Sequence, residues 1–362
     1  MSALKEELFL ILAAIVGVVA YVLEPHWAEG GRALALIAAA ILVGAIVLAS
    51  MRVAHHAEVL AEKVGDPYGT MILTSSAVLV EVVILAILMS HEPSPTLVRD
   101  TIYAAVMLDL NGILGLAALM GGLKHGEQPY NDDSARTYSV MILTAMGISM
   151  VVPEFIPEAK WHVYSLFTIG AMVLLYGVFL KMQVGAHSYF FSYSYPEKKR
   201  RKGDTVVEEA HASTMRAIVT LVVGVVLIGA LAEVMSKAMT ISLEGSGAPP
   251  IVAALIVAAI SASPEILTAL RAALANRMQS VVNIALGASL STVILTVPVM
   301  EALALYNGQP FQMAMTPVQT VMVFITLIVA AINLNDGETN AIEGMTHFVL
   351  FATFIMLALM GV

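Results

Sequence analysis

Residues 251–270 read IVAALIVAAISASPEILTAL, an apolar stretch in which Glu265 is the one charge. A second stretch, 71–89, reads MILTSSAVLVEVVILAILM and again holds a single charge, Glu81. Each is long enough to cross a ~30 Å hydrocarbon core as a helix. An ionisable group at that depth costs roughly 2.5–3.5 kcal/mol on insertion scales, so two such residues mark function rather than filler.

The rest of the chain agrees with a membrane setting. Of its 362 residues 59% are hydrophobic and only 12% charged, against about 25% charged in a soluble domain. Apolar runs recur from end to end: 8–23, 33–51, 70–89, 101–123, 138–152, 163–184, 215–235, 251–274, 281–300, 318–332 and 345–360. Their lengths predict an all-α integral membrane protein with about eleven transmembrane helices. The first run follows Lys5, Glu6 and Glu7 and lacks a small-residue cleavage pattern, so it reads as a spanning helix and not a secretory signal. The absence of cysteine excludes disulfides, thiolate metal sites and cysteine nucleophiles.

Lys and Arg set the expected orientation. The densest basic cluster, Lys198-Lys199-Arg200-Arg201-Lys202, sits in the longest polar stretch and reads as cytoplasmic. Counting helices outward places Arg52, Lys63, Lys124, Arg136, Arg271 and Arg277 on the same side, with the N-terminus cytoplasmic and the C-terminus periplasmic in a bacterial inner membrane. The polar stretch also divides the chain. Residues 1–30 form an extra N-terminal helix, 31–187 a first five-helix repeat, 188–213 a cytoplasmic linker, and 214–362 a second repeat of inverted orientation. The halves match locally. Glu58 closes one helix and the next carries Glu81; Glu233 closes another and the next carries Glu265. Both central glutamates fall near the midplane at 1.5 Å rise per residue. Inverted repeats around a polar midplane site are the architecture of secondary transporters.

Four stretches carry a family resemblance: His55-His56-Ala57-Glu58 through Val80-Glu81-Val82; Thr96-Leu97-Val98-Arg99-Asp100-Thr101; Ser263-Pro264-Glu265 with Asn276 downstream; and Gly287-Ala288-Ser289-Leu290-Ser291 running into Val297-Pro298-Val299. In these the chain resembles the calcium/cation antiporter superfamily, its cation/proton exchanger branch and the bacterial ChaA-type calcium/proton and sodium/proton antiporters. The resemblance implies ten core helices in two inverted repeats plus one N-terminal helix. It also implies that Glu81 and Glu265 bind the cation. The signature Gly-Asn-Ala-x-Glu is altered here, with Val78-Leu79-Val80-Glu81 and Ala262-Ser263-Pro264-Glu265 in its place, so the amide ligands are absent.

Calcium accepts six to eight oxygen ligands in a forgiving geometry, so carboxylates, hydroxyls, carbonyls and water suffice. Around Glu81 and Glu265 the candidate ligands are Thr74, Ser261, Ser263, Ser289, Ser291 and Asp109, with Asn111 beside it. Pro264 removes a backbone donor and is expected to free a carbonyl near Ile260. Glu58 and Glu233 are expected to flank the two mouths as gates or relays. His55 and His56 read as interfacial polar residues, and His347 as a packed helix-end residue. Carboxylates crowded in a desolvated site bind either a cation or protons, which is antiport by competition. The expected function is therefore Ca²⁺/H⁺ exchange, with Na⁺(K⁺)/H⁺ exchange on the same site as the alternative and a cation channel more distant. No His-Glu-x-x-His or Gly-x-Ser-x-Gly motif supports an enzyme. The expected partners are cations, protons and membrane lipids, with no nucleic acid and no cofactor.

Overall fold

The computed structural model describes residues 7–64, 68–91, 94–184, 191, 214–308 and 311–361. Apart from Phe191, the 188–213 linker with its basic cluster lies outside the described residues.

Backbone in lipid must satisfy its hydrogen bonds internally, and the apolar runs do so as helices. These are α1 (Leu8–Val22), α2 (Arg32–Val64), α3 (Tyr68–His91), α4 (Leu97–His125), α5 (Asp132–Phe155), α6 (Trp161–Val184), α7 (Thr214–Leu243), α8 (Ile251–Ser261), α9 (Ser263–Leu274), α10 (Met278–Asn307), α11 (Pro317–Asn333) and α12 (Ala341–Met360). Among the described residues eight are single helices long and apolar enough to cross a bilayer, and α8 with α9 makes a further span bent by 56°. The shorter α1 and α11 have 15 and 17 residues. A two-stranded ribbon pairs Gln128–Pro129 (β1) with Glu338–Thr339 (β2).

Helices before and after the linker correspond in order. The corresponding helices α2 and α7, of 33 and 30 residues, pack side by side. Both α4 and α10 are interrupted by a π-turn, at Leu108–Ile113 and Thr292–Thr296. The start of α4 is tied to the start of α11 where Gln319 donates to Asp100 Oδ1 at 2.9 Å, and the start of α10 to that of α5 where Gln279 donates to Ser134 Oγ at 2.9 Å. The correspondence is not complete: α5 holds a π-turn at Gly147–Val151 that α11 lacks, and the second glutamate helix is broken. α3 runs unbroken through Glu81, whereas its counterpart breaks at Ala262, because Pro264 in the first turn of α9 cannot continue a helix from α8.

α1 crosses the α2/α7 pair and is fastened at both ends. Glu24 meets Lys237 at 3.2 Å, and Glu7 receives hydrogen bonds from Arg52, His56 and Arg216 at 3.0–3.3 Å. Burial alone works to raise the Glu7 carboxyl, but the hydrogen bonds and charges of Arg52 and His56 overrule it and hold Glu7 below the usual range. A depressed acid stabilises the folded state above its unfolded value, near 4.3 for glutamate, and that contribution is lost as pH falls through the folded value. Thermal midpoints in detergent are therefore expected to fall more steeply for the wild type than for Glu7→Gln as pH drops below about 4. Parallel curves for the two proteins would remove Glu7 as the fastening.

Candidate functional site

A cavity of about 870 Å³ is lined by α2, α3, α5, α6, α8, α9 and α10. It runs from Val80 and Glu265 near mid-membrane to the exposed Glu58 and Thr268, with Gln183 and Asn283, at one face. The other face is sealed. Buried Arg99 and Asp100 pair at 2.8 Å, Arg99 Nη1 donates to the Ala314 carbonyl at 3.0 Å, and Gln319 completes the network. Backbone bonds from Met315 to Met150 and from Gln312 to Pro95 close the same side.

Three carboxyl groups lie close together here: Glu265 lines the inner end of the cavity, and Glu81 and Asp109, in electrostatic reach of it, are buried beyond the lining. Glu81 is 3% exposed; its Oε2 accepts from Thr292 and Thr296, each at 3.0 Å, and its Oε1 has no partner. Asp109 is 2% exposed and lies in the π-turn of α4, a local widening of the helix common at functional sites. Its Oδ2 accepts from Ser289 at 3.1 Å. Glu265 occupies the first turn of α9 and lines the cavity, with Oε2 buried and unpartnered. The groups sense one another: Asp109 lies in electrostatic reach of Glu265 and Glu81, and Glu265 in reach of Glu81 and Glu58.

The remaining sequence candidates are placed as follows. Thr74 lines the cavity. Ser261 lines it and donates to the Val257 carbonyl at 2.9 Å, and Ser291 lines it and donates to the Gly287 carbonyl. Ser263 donates to the Ile260 carbonyl at 2.7 Å, so the acceptor that Pro264 frees is taken up locally. Each hydroxyl keeps its oxygen lone pairs. Glu58 stands at the cavity mouth; Glu233 lies outside the cavity, exposed, with Oε1 3.9 Å from His91 Nε2.

Sequence reasoning missed Thr292 and Thr296, which hold Glu81. Their i, i+4 spacing inside an apolar run was the available signal. It also missed the anchoring of Asn111, whose Nδ2 donates to Thr326 at 2.8 Å and whose Oδ1 meets His347 Nδ1 at 3.0 Å. His347 is thus a buried partner of the α4 π-turn. Among the described residues no cluster of three or more His, Cys, Asp or Glu side chains is spaced to hold a metal ion by itself.

Membrane-spanning helices paired in two sets around buried carboxylates, reached from one face, define an ion-coupled membrane transporter. A sequence model of the sodium/calcium exchanger protein family matches residues 33–185 and 216–360, and the chain belongs to that family. It is 32% identical to the ionic transporter y4hA of Sinorhizobium fredii over 91% of this chain and 89% of that one. It is 31% identical to the sodium-potassium/proton antiporter ChaA of Escherichia coli over 87% and 86%. The solved structure of native YfkE, called a Ca²⁺/H⁺ antiporter protein, superposes with a TM-score of 0.77 at 19% identity, covering 97% of this chain and 99% of that one.

Proposed function

We propose that the protein is a secondary active antiporter that exchanges Ca²⁺ for H⁺ by alternating access, with Glu81 and Glu265 binding either the cation or protons. The observation that carries this reading is the clustering of Glu81, Asp109 and Glu265 at and beyond the blind end of a cavity open to one face. A carboxylate group of this density, without an ion-paired basic side chain among the described residues, is stable in a low-dielectric site only when cations or protons neutralise it. Because the same oxygens serve both, a cation arriving displaces protons and the reverse. Thr292, Thr296 and Ser289 hold the carboxylates; Thr74, Ser261 and Ser291 present further oxygens to an ion whose coordination water completes. Magnesium fits less well, since it demands strict octahedral geometry.

The cavity face carries Glu58 together with Arg52, Lys63, Lys124, Arg136 and Arg271, so by the positive-inside rule it is cytoplasmic in a bacterial inner membrane and this conformation is inward-facing. In this topology residues 31–187 and 214–362 are the inverted repeats. Outward opening then requires α4 to part from α11, breaking the contacts of Arg99 and Asp100 with Ala314 and Gln319. The only bonds made and broken in this scheme are the carboxyl O–H bonds of the exchanged protons.

A second reading, Na⁺ or K⁺ in place of Ca²⁺ on the same oxygens, is favoured by the name of the Escherichia coli relative and by the lack, among the described residues, of a closed three-carboxylate metal cluster. Proteoliposomes holding an imposed pH gradient separate the two. Addition of Ca²⁺ is expected to drive proton movement and Mg²⁺ is not. A response to Na⁺ or K⁺ alone establishes the second reading, and no response to any of the four overturns both.

A further inference from the structure

Glu301 is a buried carboxyl that the exchange site does not use. It lies on α10, is 2% exposed, and its Oε2 has no hydrogen-bond partner. It stands about 7–8 Å further along the helix than Thr296 and about 9 Å before the helix end at Asn307, between the Glu81 site and the sealed face. α6 packs against this stretch and presents Ser165, which hydrogen-bonds Glu301, and Tyr164. Tyr164 in turn donates to the Ile148 carbonyl at 2.8 Å, in the π-turn of α5. The other two helices bordering the stretch are α3 and α4. Their charged and histidine side chains are already engaged: Glu81 with Thr292 and Thr296, His91 with Glu233, Asp109 with Ser289, Arg99 with Asp100, and Lys124 and His125, at the far end of α4, with the Leu274 carbonyl. No basic side chain among the described residues forms an ion pair with Glu301.

An acidic side chain without a counter-ion inside a membrane protein is expensive, and such groups mark ion or proton pathways. Geometry separates the two uses here. The cavity, through which a hydrated cation travels, is lined by Glu58 and Glu265; Glu81 and Asp109, beyond its lining, are in electrostatic reach of Glu265, whereas Glu301 neither lines it nor is in reach of Glu265. The polar side chains that meet Glu301 among the described residues are the hydroxyls of Ser165 and Tyr164, which can hand over a proton but do not make a calcium shell.

Building on the antiport reading, we propose that Glu301 is the proton relay between the Glu81 site and the sealed face. A proton on the Glu301 carboxyl passes through an intervening water to Glu81, leaving Glu301 as the carboxylate, which is reprotonated from the sealed face past Ser165 and Tyr164. The cation does not follow this route. Glu233, the acidic residue that sequence symmetry suggested for this end, is exposed and paired with His91, whereas Glu301 is sequestered on the helix that holds Glu81.

The test compares two activities of one reconstituted protein. Cation-for-cation counterflow, measured with labelled Ca²⁺ on both sides at equal pH, needs the exchange site but no proton transfer. Cation-driven proton flux needs both. In Glu301→Gln, counterflow is expected to stay within about twofold of wild type while proton flux falls about tenfold or more, as for loss of a positioned proton donor, with Glu301→Asp partly restoring it. Loss of both activities together would show a structural or ligand role, and loss of neither would show no role; either overturns the relay. Absence of proton flux in the wild type itself would instead overturn the antiport reading on which the relay rests.

Discussion

Glu81→Gln is expected to abolish cation-driven proton movement while leaving the fold intact. Glutamine keeps the side-chain volume, and its carbonyl oxygen still accepts from Thr292 and Thr296, so the contacts between α3 and α10 survive. What disappears is the charge. A cation at 2.3–2.6 Å from a carboxylate in a desolvated site gains several kcal/mol from that charge, and a net loss of about 3–4 kcal/mol weakens binding by about 10²–10³. The variant also loses one of the groups that exchanges a proton for the cation, so turnover and affinity fall together. Glu265→Gln is expected to do the same from the cavity side. Proteoliposomes with an internal pH dye measure both; coupled flux within about tenfold of wild type in Glu81→Gln would remove that residue from the centre of the mechanism.

The second large effect is structural. Gly344→Val is expected to prevent α12 from seating against α4. A Cβ on Gly344 would lie 2.2 Å from Leu119 N and 2.7 Å from Ala118 C, and one on the facing Gly115 would lie 2.8 Å from Phe348 N. These are backbone atoms, so no rotamer change relieves the clash; the helices must separate. Membrane helices gain little from apolar burial against lipid and depend on such close packing of small residues. Separation also pulls His347 from Asn111, loosening the π-turn that positions Asp109. The cost is about 3 kcal/mol or more, at the upper end of overpacking effects. The readout is monodisperse yield and thermal midpoint in detergent. Gly170→Val, where an added Cβ meets nothing within 4 Å, is the control expected to remain near wild type. A Gly344→Val protein as stable as this control would show that the contact is dispensable.

Sequence by itself determined the membrane class, the position of each apolar helix, and the singular status of Glu81 and Glu265. Each rests on a one-dimensional property: the length of an apolar run against the bilayer thickness, and the cost of a charge inside it. The family resemblance came from contiguous motifs and needed no folded structure. The partners of those glutamates were not readable in the same way. Ser261, Ser263 and Ser291 have the right spacing and chemistry, yet Ser261 and Ser291 donate to carbonyls of their own helices and Ser263 to Ile260 at the end of the preceding one, while Thr292 and Thr296 reach Glu81 from the other half of the chain. Which hydroxyl faces which carboxylate depends on how two distant helices are rotated and offset, and the π-turns at Leu108–Ile113 and Thr292–Thr296 shift that rotation out of the 3.6-residue phase used to read faces from sequence. The break in the second glutamate helix follows locally from Pro264, but tertiary structure alone decided that one face is open while Arg99, Asp100 and Gln319 seal the other, and that Glu301 is buried without an ion-pair partner among the described residues. These are properties of packing between segments far apart in the chain.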